Sequence, residues 1–286
     1  MNNFLFLGGD LRSVYAAEKL NERFDCFIYG QENLWLPTPI QTPVLREVTK
    51  CRNLVLGLPS SCDGETINAP NWNETIYPEI ILEAVENGGT VFAGKAFEKL
   101  SSLCEKHGFK FIDYFAREEL AVMNAIPTVE GAIEILMRES SSTIYDMSVL
   151  VTGFGRLGKV LIKRLVALGA QVTVAARKFS DMSWAEIGGC KSMHISELEA
   201  NLSRFDAVIN TIPAKIFFEK EIKKMSPCLI FIDLASKLSV FDKAFIERQG
   251  IKVLWELSLP GRVAPVTAGR VIADTILNII AETRSD

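Results

Sequence analysis

The stretch Val149-Leu150-Val151-Thr152-Gly153-Phe154-Gly155-Arg156-Leu157-Gly158 decides the fold. Its apolar run predicts a strand and its glycines a turn. The amphipathic run that follows, ending at Leu168-Gly169, predicts a helix, and a second strand is expected at 171–175. Three glycines at this spacing are weak evidence alone. Set between a strand, a helix and a second strand, they meet the context that dinucleotide binding requires. Gly153 permits the tight turn, Gly155 lets a pyrophosphate approach the backbone, and Gly158 lets helix and strand pack closely. The helix start at Phe154, Arg156 and Leu157 supplies backbone donors and the positive end of a dipole.

The end of the second strand selects the dinucleotide. An NAD site places an acid there to accept from the ribose hydroxyl. Here the residues are Ala175-Ala176-Arg177-Lys178, which supply two cations and no carboxylate. A 2′-phosphate suits Arg177, so the expected cofactor is NADP, contacted around Ala176, Arg177 and Lys178. Asn210-Thr211-Ile212-Pro213 and Asp233-Leu234-Ala235-Ser236 end two later strands. Asn210, Thr211, Ile212, Pro213 and Ala235 are therefore expected to border the ribose or nicotinamide.

Outward from this motif, short apolar runs alternate with helical patterns along all 286 residues. That alternation predicts an α/β chain of two Rossmann-like parallel-sheet domains. Strands are expected at 4–7, 26–29, 53–58, 90–93 and 110–112, then at 148–152, 171–175, 192–194, 207–210, 229–233 and 252–254. Helices are expected at 12–22, 77–87 and 96–107 in the first half. The proline-bearing stretch 31–43 reads as a loop. Pro127 predicts a joint between two helices over 116–138, because proline removes an amide donor and clashes with the preceding turn. The expected domains are a substrate domain at 1–125, an NADP-binding domain at 126–266 and a C-terminal helix at 267–286. By analogy with similar architectures, that helix is expected to pack back on the first domain.

Composition narrows the partners. Net charge is −4, with no long basic block, which argues against nucleic acid. The six cysteines form no CxxC pair, and only two histidines are present, so no metal site is expected and the thiols read as buried and reduced. The N-terminus carries no basic leader before its apolar run, and no uncharged apolar run approaches about 20 residues. A soluble cytoplasmic protein without membrane contact is expected, with a homo-oligomer left open.

Substrate groups are less sharply marked. Leu7-Gly8-Gly9-Asp10-Leu11-Arg12 reads as a strand, a glycine turn and a helix start, where Arg12 suits a small anion. Lys95, Arg117 and Arg262 stand at expected loop edges and are further candidates for a substrate carboxylate. Asn124 and Thr128 flank Pro127 as orienting candidates. Glu130 is a possible proton acceptor or a helix cap. His107 is expected to end a helix and His194 a strand, and no residue is marked as the catalytic base.

Together these pieces resemble the A subunit of dipicolinate synthase. The resemblance rests on Gly8-Gly9-Asp10 with Arg12, on Arg117-Glu118-Glu119-Leu120-Ala121-Val122 and on Asn124-Ala125-Ile126-Pro127-Thr128-Val129-Glu130-Gly131. The glycine turn, Ala175-Ala176-Arg177, Leu259-Pro260-Gly261, Ala264-Pro265 and Thr267-Ala268-Gly269 complete it. The resemblance implies oxidation of dihydrodipicolinate, a dicarboxylate, with hydride passing to NADP, in sporulation and beside the flavoprotein-like B subunit of the synthase. Two departures stand out. Lys237-Leu238-Ser239 replaces an expected Pro-Gly-Gly type of loop, and Arg262 and Val266 exchange the expected places of a basic and an apolar residue. The alternatives are another NADP dehydrogenase of small carboxylates, or a non-catalytic NADP(H)-binding subunit.

Overall fold

The computed structural model describes residues 3–32 and 50–285. The expected loop at 31–43 lies, from residue 33 on, outside the described residues. The chain divides into two compact units, Met1–Asn124 with Pro260–Asp286, and Ala125–Leu259. The chain re-enters the first unit at Pro260, seven residues before the expected 267. The reason is local: Gly261 already lies against Arg12, where a Cβ would come within 2.8 Å of the guanidinium Nε.

The first unit runs β1 (Phe4–Leu7), α1 (Leu11–Asn21), β2 (Cys26–Tyr29), β3 (Cys51–Leu56), α2 (Ile81–Ala84), β4 (Val85–Ala93), α3 (Glu98–His107) and β5 (Lys110–Asp113). Its five strands pair in parallel in the order β2-β1-β3-β4-β5. All four residues of β1 are buried, as a central parallel strand covered on both faces requires. Successive side chains point to opposite faces. Phe4, Phe6 and Val55 accordingly join one core, and Leu5, Leu7 and Leu54 the other. The expected helix at 77–87 is cut short. Pro78 opens one turn of 3-10 helix, and from Val85 the chain is already strand, with Gly88 at φ +68° beside an irregularity in pairing with β3.

Next comes α4 (Glu118–Glu139), which is one helix and not two: Pro127 lies inside it. The lost amide bond is a local defect that the burial of Ala125, Val129, Ala132, Ile135 and Leu136 outweighs. By length and composition alone this helix is apolar enough to cross a membrane, although Glu130 and Glu134 interrupt it and no uncharged run in it approaches about 20 residues. Its buried residues fill protein cores, which is how a core helix meets the same criterion.

The second unit runs β6 (Ser148–Thr152), α5 (Arg156–Ala167), β7 (Gln171–Ala176), α6 (Phe179–Ile187), β8 (Lys191–His194), α7 (Leu198–Asn201), β9 (Ala207–Asn210), α8 (Glu219–Ile222), β10 (Ile230–Asp233), α9 (Lys243–Arg248) and β11 (Val253–Trp255). Its parallel order is β11-β10-β9-β6-β7-β8. Counted from β6, this is the 3-2-1-4-5-6 order of a dinucleotide-binding sheet, with the reversal between β6 and β9.

Two helices close the chain, α10 (Leu259–Val263) and α11 (Pro265–Ser285). Within the first unit α11 packs along α1. A Cβ on Gly269 would lie 2.5 Å from the Arg12 carbonyl oxygen, so the two helices meet backbone to backbone. Val271, Ile272, Ile276 and Ile279 share one buried cluster with Val14, Ala17 and Leu20.

Candidate functional site: the carboxyl edge of the second sheet

At the reversal between β6 and β9, the chain leaves β6 at Gly153 with φ +96°, a left-handed conformation that glycine adopts without strain. The Gly153 amide is bound to the Ala175 carbonyl of β7, which ties the turn to the sheet. A Cβ on Gly158 would meet the Gly153 oxygen at 2.3 Å, so α5 starts hard against the turn. At Gly155 the opposite holds: nothing lies within 4 Å of a built Cβ. That open space faces the first turn of α5, which has no side-chain cap, and the Gly155 and Leu157 amides find no acceptor among the described residues. This is a cradle for an anion, and a dinucleotide pyrophosphate fits it. Phe154 packs on the core edge under the Lys159 ammonium, 5.6 Å from the ring centroid. Arg156 is exposed at the helix start.

Beyond the cradle, Ala176 is buried as the last residue of β7, whereas Arg177 and Lys178 are exposed. No carboxylate among the described residues pairs with Arg177. On the other side of β6, Thr211 and Ile212 are half-buried and Pro213 is exposed. Thr211 Oγ1 donates to the Thr152 carbonyl at 2.8 Å, which fixes this loop beside the glycine turn.

Asn210 and Ala235 are placed differently from expectation. The Asn210 side chain is wholly buried and every one of its bonds is internal. Its Oδ1 accepts from Thr152 Oγ1 at 2.6 Å and from the Ile212 amide at 3.1 Å. Its Nδ2 donates to Asp233 Oδ1 at 2.8 Å and to the Ile212 carbonyl at 3.0 Å. Ala235 is also buried, its amide donating to Asp233 and its carbonyl accepting from Trp255 Nε1. Both residues shape the edge from below and offer no free polar group to a ligand.

Sequence reasoning missed the rest of this network. Asp233 is completely buried, and its carboxylate accepts four bonds: from Asn210 Nδ2, the Ala235 amide, and the Ser239 amide and hydroxyl at 2.7 and 2.5 Å. No cation pairs with it among the described residues. A signal was present: Thr152, Asn210 and Asp233 are each the polar last residue of a buried strand. Lys237-Leu238-Ser239, read as a departure in sequence, is the loop that returns Ser239 to this carboxylate.

The substrate candidates separate into groups. In the first unit Arg12 is buried. Its Nε and Nη2 bond the Asp10 carboxylate, Nη2 also bonds the Leu58 carbonyl, and Asp10 in turn caps α1. Only Nη1 of Arg12 is without an acceptor among the described residues. Lys95 is exposed and holds φ +56°, a strained value for a side chain with a Cβ, pinned by the Asp113 carboxylate at its amide. Arg262 is exposed on α10, next to the Gly261 that touches Arg12.

Arg117 departs from expectation: it bonds Glu119 and grips Glu282 of α11 through two bonds of 2.7 and 2.8 Å. Hydrogen bonds to those carboxylates push its guanidinium pKa up, and the guanidinium in turn holds both glutamates below their ordinary range. Its fork is therefore engaged by the protein. Asn124 and Thr128 stand four residues apart on α4, on one face and half-buried. Glu130 is exposed mid-helix, 3.4 Å from Arg164, and is neither a cap nor a proton acceptor set in a pocket. His194 ends β8, where its Nδ1 accepts from the Ser196 amide. The cysteines differ from expectation too: Cys26, Cys51, Cys104 and Cys190 are buried, but Cys62 and Cys228 are exposed.

Comparison with known proteins agrees with this geometry. Residues 3–115 match the N-terminal domain of the dipicolinate synthase A subunit. The A subunit of dipicolinate synthase from Bacillus subtilis (strain 168) is 29% identical over 98% of this chain and 96% of its own length. Along nearly its whole length the chain is similar to dipicolinate synthase A subunits. Two solved structures of such A subunits, from Bacillus halodurans and Bacillus subtilis, superpose with TM-scores of 0.88 and 0.87 at 29% and 28% identity. They cover 98% and 99% of this chain, and the chain covers 98% and 97% of theirs. Residues 129–247 match the D-isomer specific 2-hydroxyacid dehydrogenase, NAD binding domain. Residues 129–247 of the second unit thus form a nicotinamide-dinucleotide-binding domain similar to those of dehydrogenases, and the open turn at Gly155 lies within it.

Proposed function

We propose that this chain oxidises dihydrodipicolinate to dipicolinate, pyridine-2,6-dicarboxylate, with NADP as the hydride acceptor. The bound nicotinamide supplies a carbon able to take hydride. The substrate loses that hydride and one proton, and the ring formed is aromatic, so much of the driving force resides in the product. The work left to the protein is placement of the dinucleotide and neutralisation of two carboxylates. This accounts for a site built from backbone amides and cations.

The observation that carries the choice of NADP is Arg177. It is exposed at the end of β7, where an NAD site needs an acid, and no described carboxylate competes for it. On the substrate side we assign the carboxylates to Lys95 and Arg262 with the Nη1 edge of Arg12, which meets no acceptor among the described residues, and orientation to Asn124 and Thr128. Residues 1–125 with the C-terminal helix serve as the substrate part in this reading. The partners are the dicarboxylate and the flavoprotein-like B subunit of dipicolinate synthase, in the cytoplasm of a sporulating cell.

The test is a titration of NADPH and NADH into the wild type and the Arg177→Ala variant, followed by turnover of dihydrodipicolinate. Losing a charge-assisted contact to phosphate weakens NADPH binding by about tenfold or more and leaves NADH within about twofold. Equal affinities for NADPH in the two proteins remove the basis for NADP. Absence of any dinucleotide binding by the wild type, with or without the B subunit, ends the whole reading.

A further inference from the structure

We infer that Asp233 and Ser239 are positioning residues for the nicotinamide half of the dinucleotide, acting through a buried carboxylate that locks two loops of the second sheet's carboxyl edge in place. The inference rests on the dinucleotide reading above and adds residues that reading does not use.

The Asp233 carboxyl group lies in the protein interior with no cation beside it among the described residues. A group of that kind is costly unless hydrogen bonds replace its water, and here four donors do so. The donors come from three places: the side chain at the end of β9, the first turn of the chain after β10, and Ser239, six residues on. One carboxylate therefore sets both the 211–213 loop, by way of Asn210, and the 234–239 loop directly.

A purely structural need does not explain this arrangement. A leucine-rich strand end would stabilise the sheet without burying a charge, and replacing buried ionic groups by apolar ones is often neutral or favourable. What the network adds is precision. Ser239 returns to the carboxylate through two short bonds, so Lys237 and Leu238 form a closed loop above the edge and not a free one. In sheets of this topology the ligand lies outside the carboxyl ends of the strands at the reversal of order. The strands β9 and β10 lie on the side of that reversal away from Arg177. The adenine and its extra phosphate belong to the β7 side, and the nicotinamide to the β9–β10 side. Loops that are about 1 Å out of place at the reacting end are expensive for hydride transfer.

The experiment compares two ligands on the wild type, Ser239→Ala and Asp233→Asn. Adenosine 2′,5′-bisphosphate carries only the adenine half, and NADPH carries both. We expect Ser239→Ala to bind the bisphosphate within about twofold of wild type and NADPH about tenfold more weakly. Turnover should fall more than the KM for substrate rises. Asp233→Asn should show the same split more strongly, with its folding checked by thermal melting. Equal weakening of both ligands in Ser239→Ala, or no weakening of either, overturns the inference. A wild type that binds the bisphosphate but not NADPH also overturns it, whereas a wild type that binds neither fails the underlying dinucleotide reading instead.

Discussion

The three glycines of the turn do separate work, and the structure gives each a different tolerance. A Cβ at Gly158 would meet a backbone oxygen at 2.3 Å, and backbone cannot rotate away as a side chain can. Gly158→Ala should therefore cost about 1–3 kcal/mol of stability and lower the melting temperature. At Gly155 a methyl meets nothing in the free protein. Gly155→Ala should melt within about 0.5 kcal/mol of wild type yet bind NADPH much more weakly, since the methyl stands where the pyrophosphate approaches. Thermal melts and cofactor titrations on the two variants separate these effects. Should Gly155→Ala bind NADPH as the wild type does, the cradle is not the phosphate site.

Among the elements, α11 is the one whose role the chain order conceals. It is built from residues that follow the whole second sheet, but its partner is α1, and Gly269 sets their spacing. A larger residue there must push apart two helices that share Val14, Leu20, Ile272 and Ile276 in one core. Gly269→Val should destabilise the first unit by several kcal/mol, on the order of 2–4. A chemical denaturation curve should show that loss, while NADPH affinity measured below the transition stays unchanged. A variant as stable as wild type would mean that the two helices do not depend on this contact. Pro127 shows the same logic in reverse. Its local preference is to end a helix, and α4 runs through it because the burial on either side is worth more.

For the whole molecule, the six cysteines give a readout of burial in both units at once. Burial pushes the Cys26 and Cys51 thiols up to about 12 and Cys104 up to about 11, and raises Cys190 as well. These four are protonated and shielded at neutral pH. A thiol reagent should modify two residues, Cys62 and Cys228, in the native protein and all six after denaturation. Fast native modification of four or more would show that one of the cores opens readily. Cores of this size are what two parallel sheets need, because each must be covered on both faces.

What the residues alone determined is what period and local chemistry control. Strands at 4–7, 26–29, 148–152 and 207–210 stand where their apolar runs end, and the glycine turn sits where its spacing and flanking elements require. The position of Arg177, one step beyond the end of β7, was legible for the same reason. Only the tertiary structure decided the rest. It ran α4 through Pro127, cut the helix expected at 77–87 to one short turn, and matched Arg117 with Glu282 across 165 positions of sequence. It also turned Asn210 inward and joined it to Asp233 and Ser239. Such outcomes depend on which distant groups compete for a buried hydrogen bond or a patch of core. That competition is settled between residues far apart in the chain, where no local pattern records it.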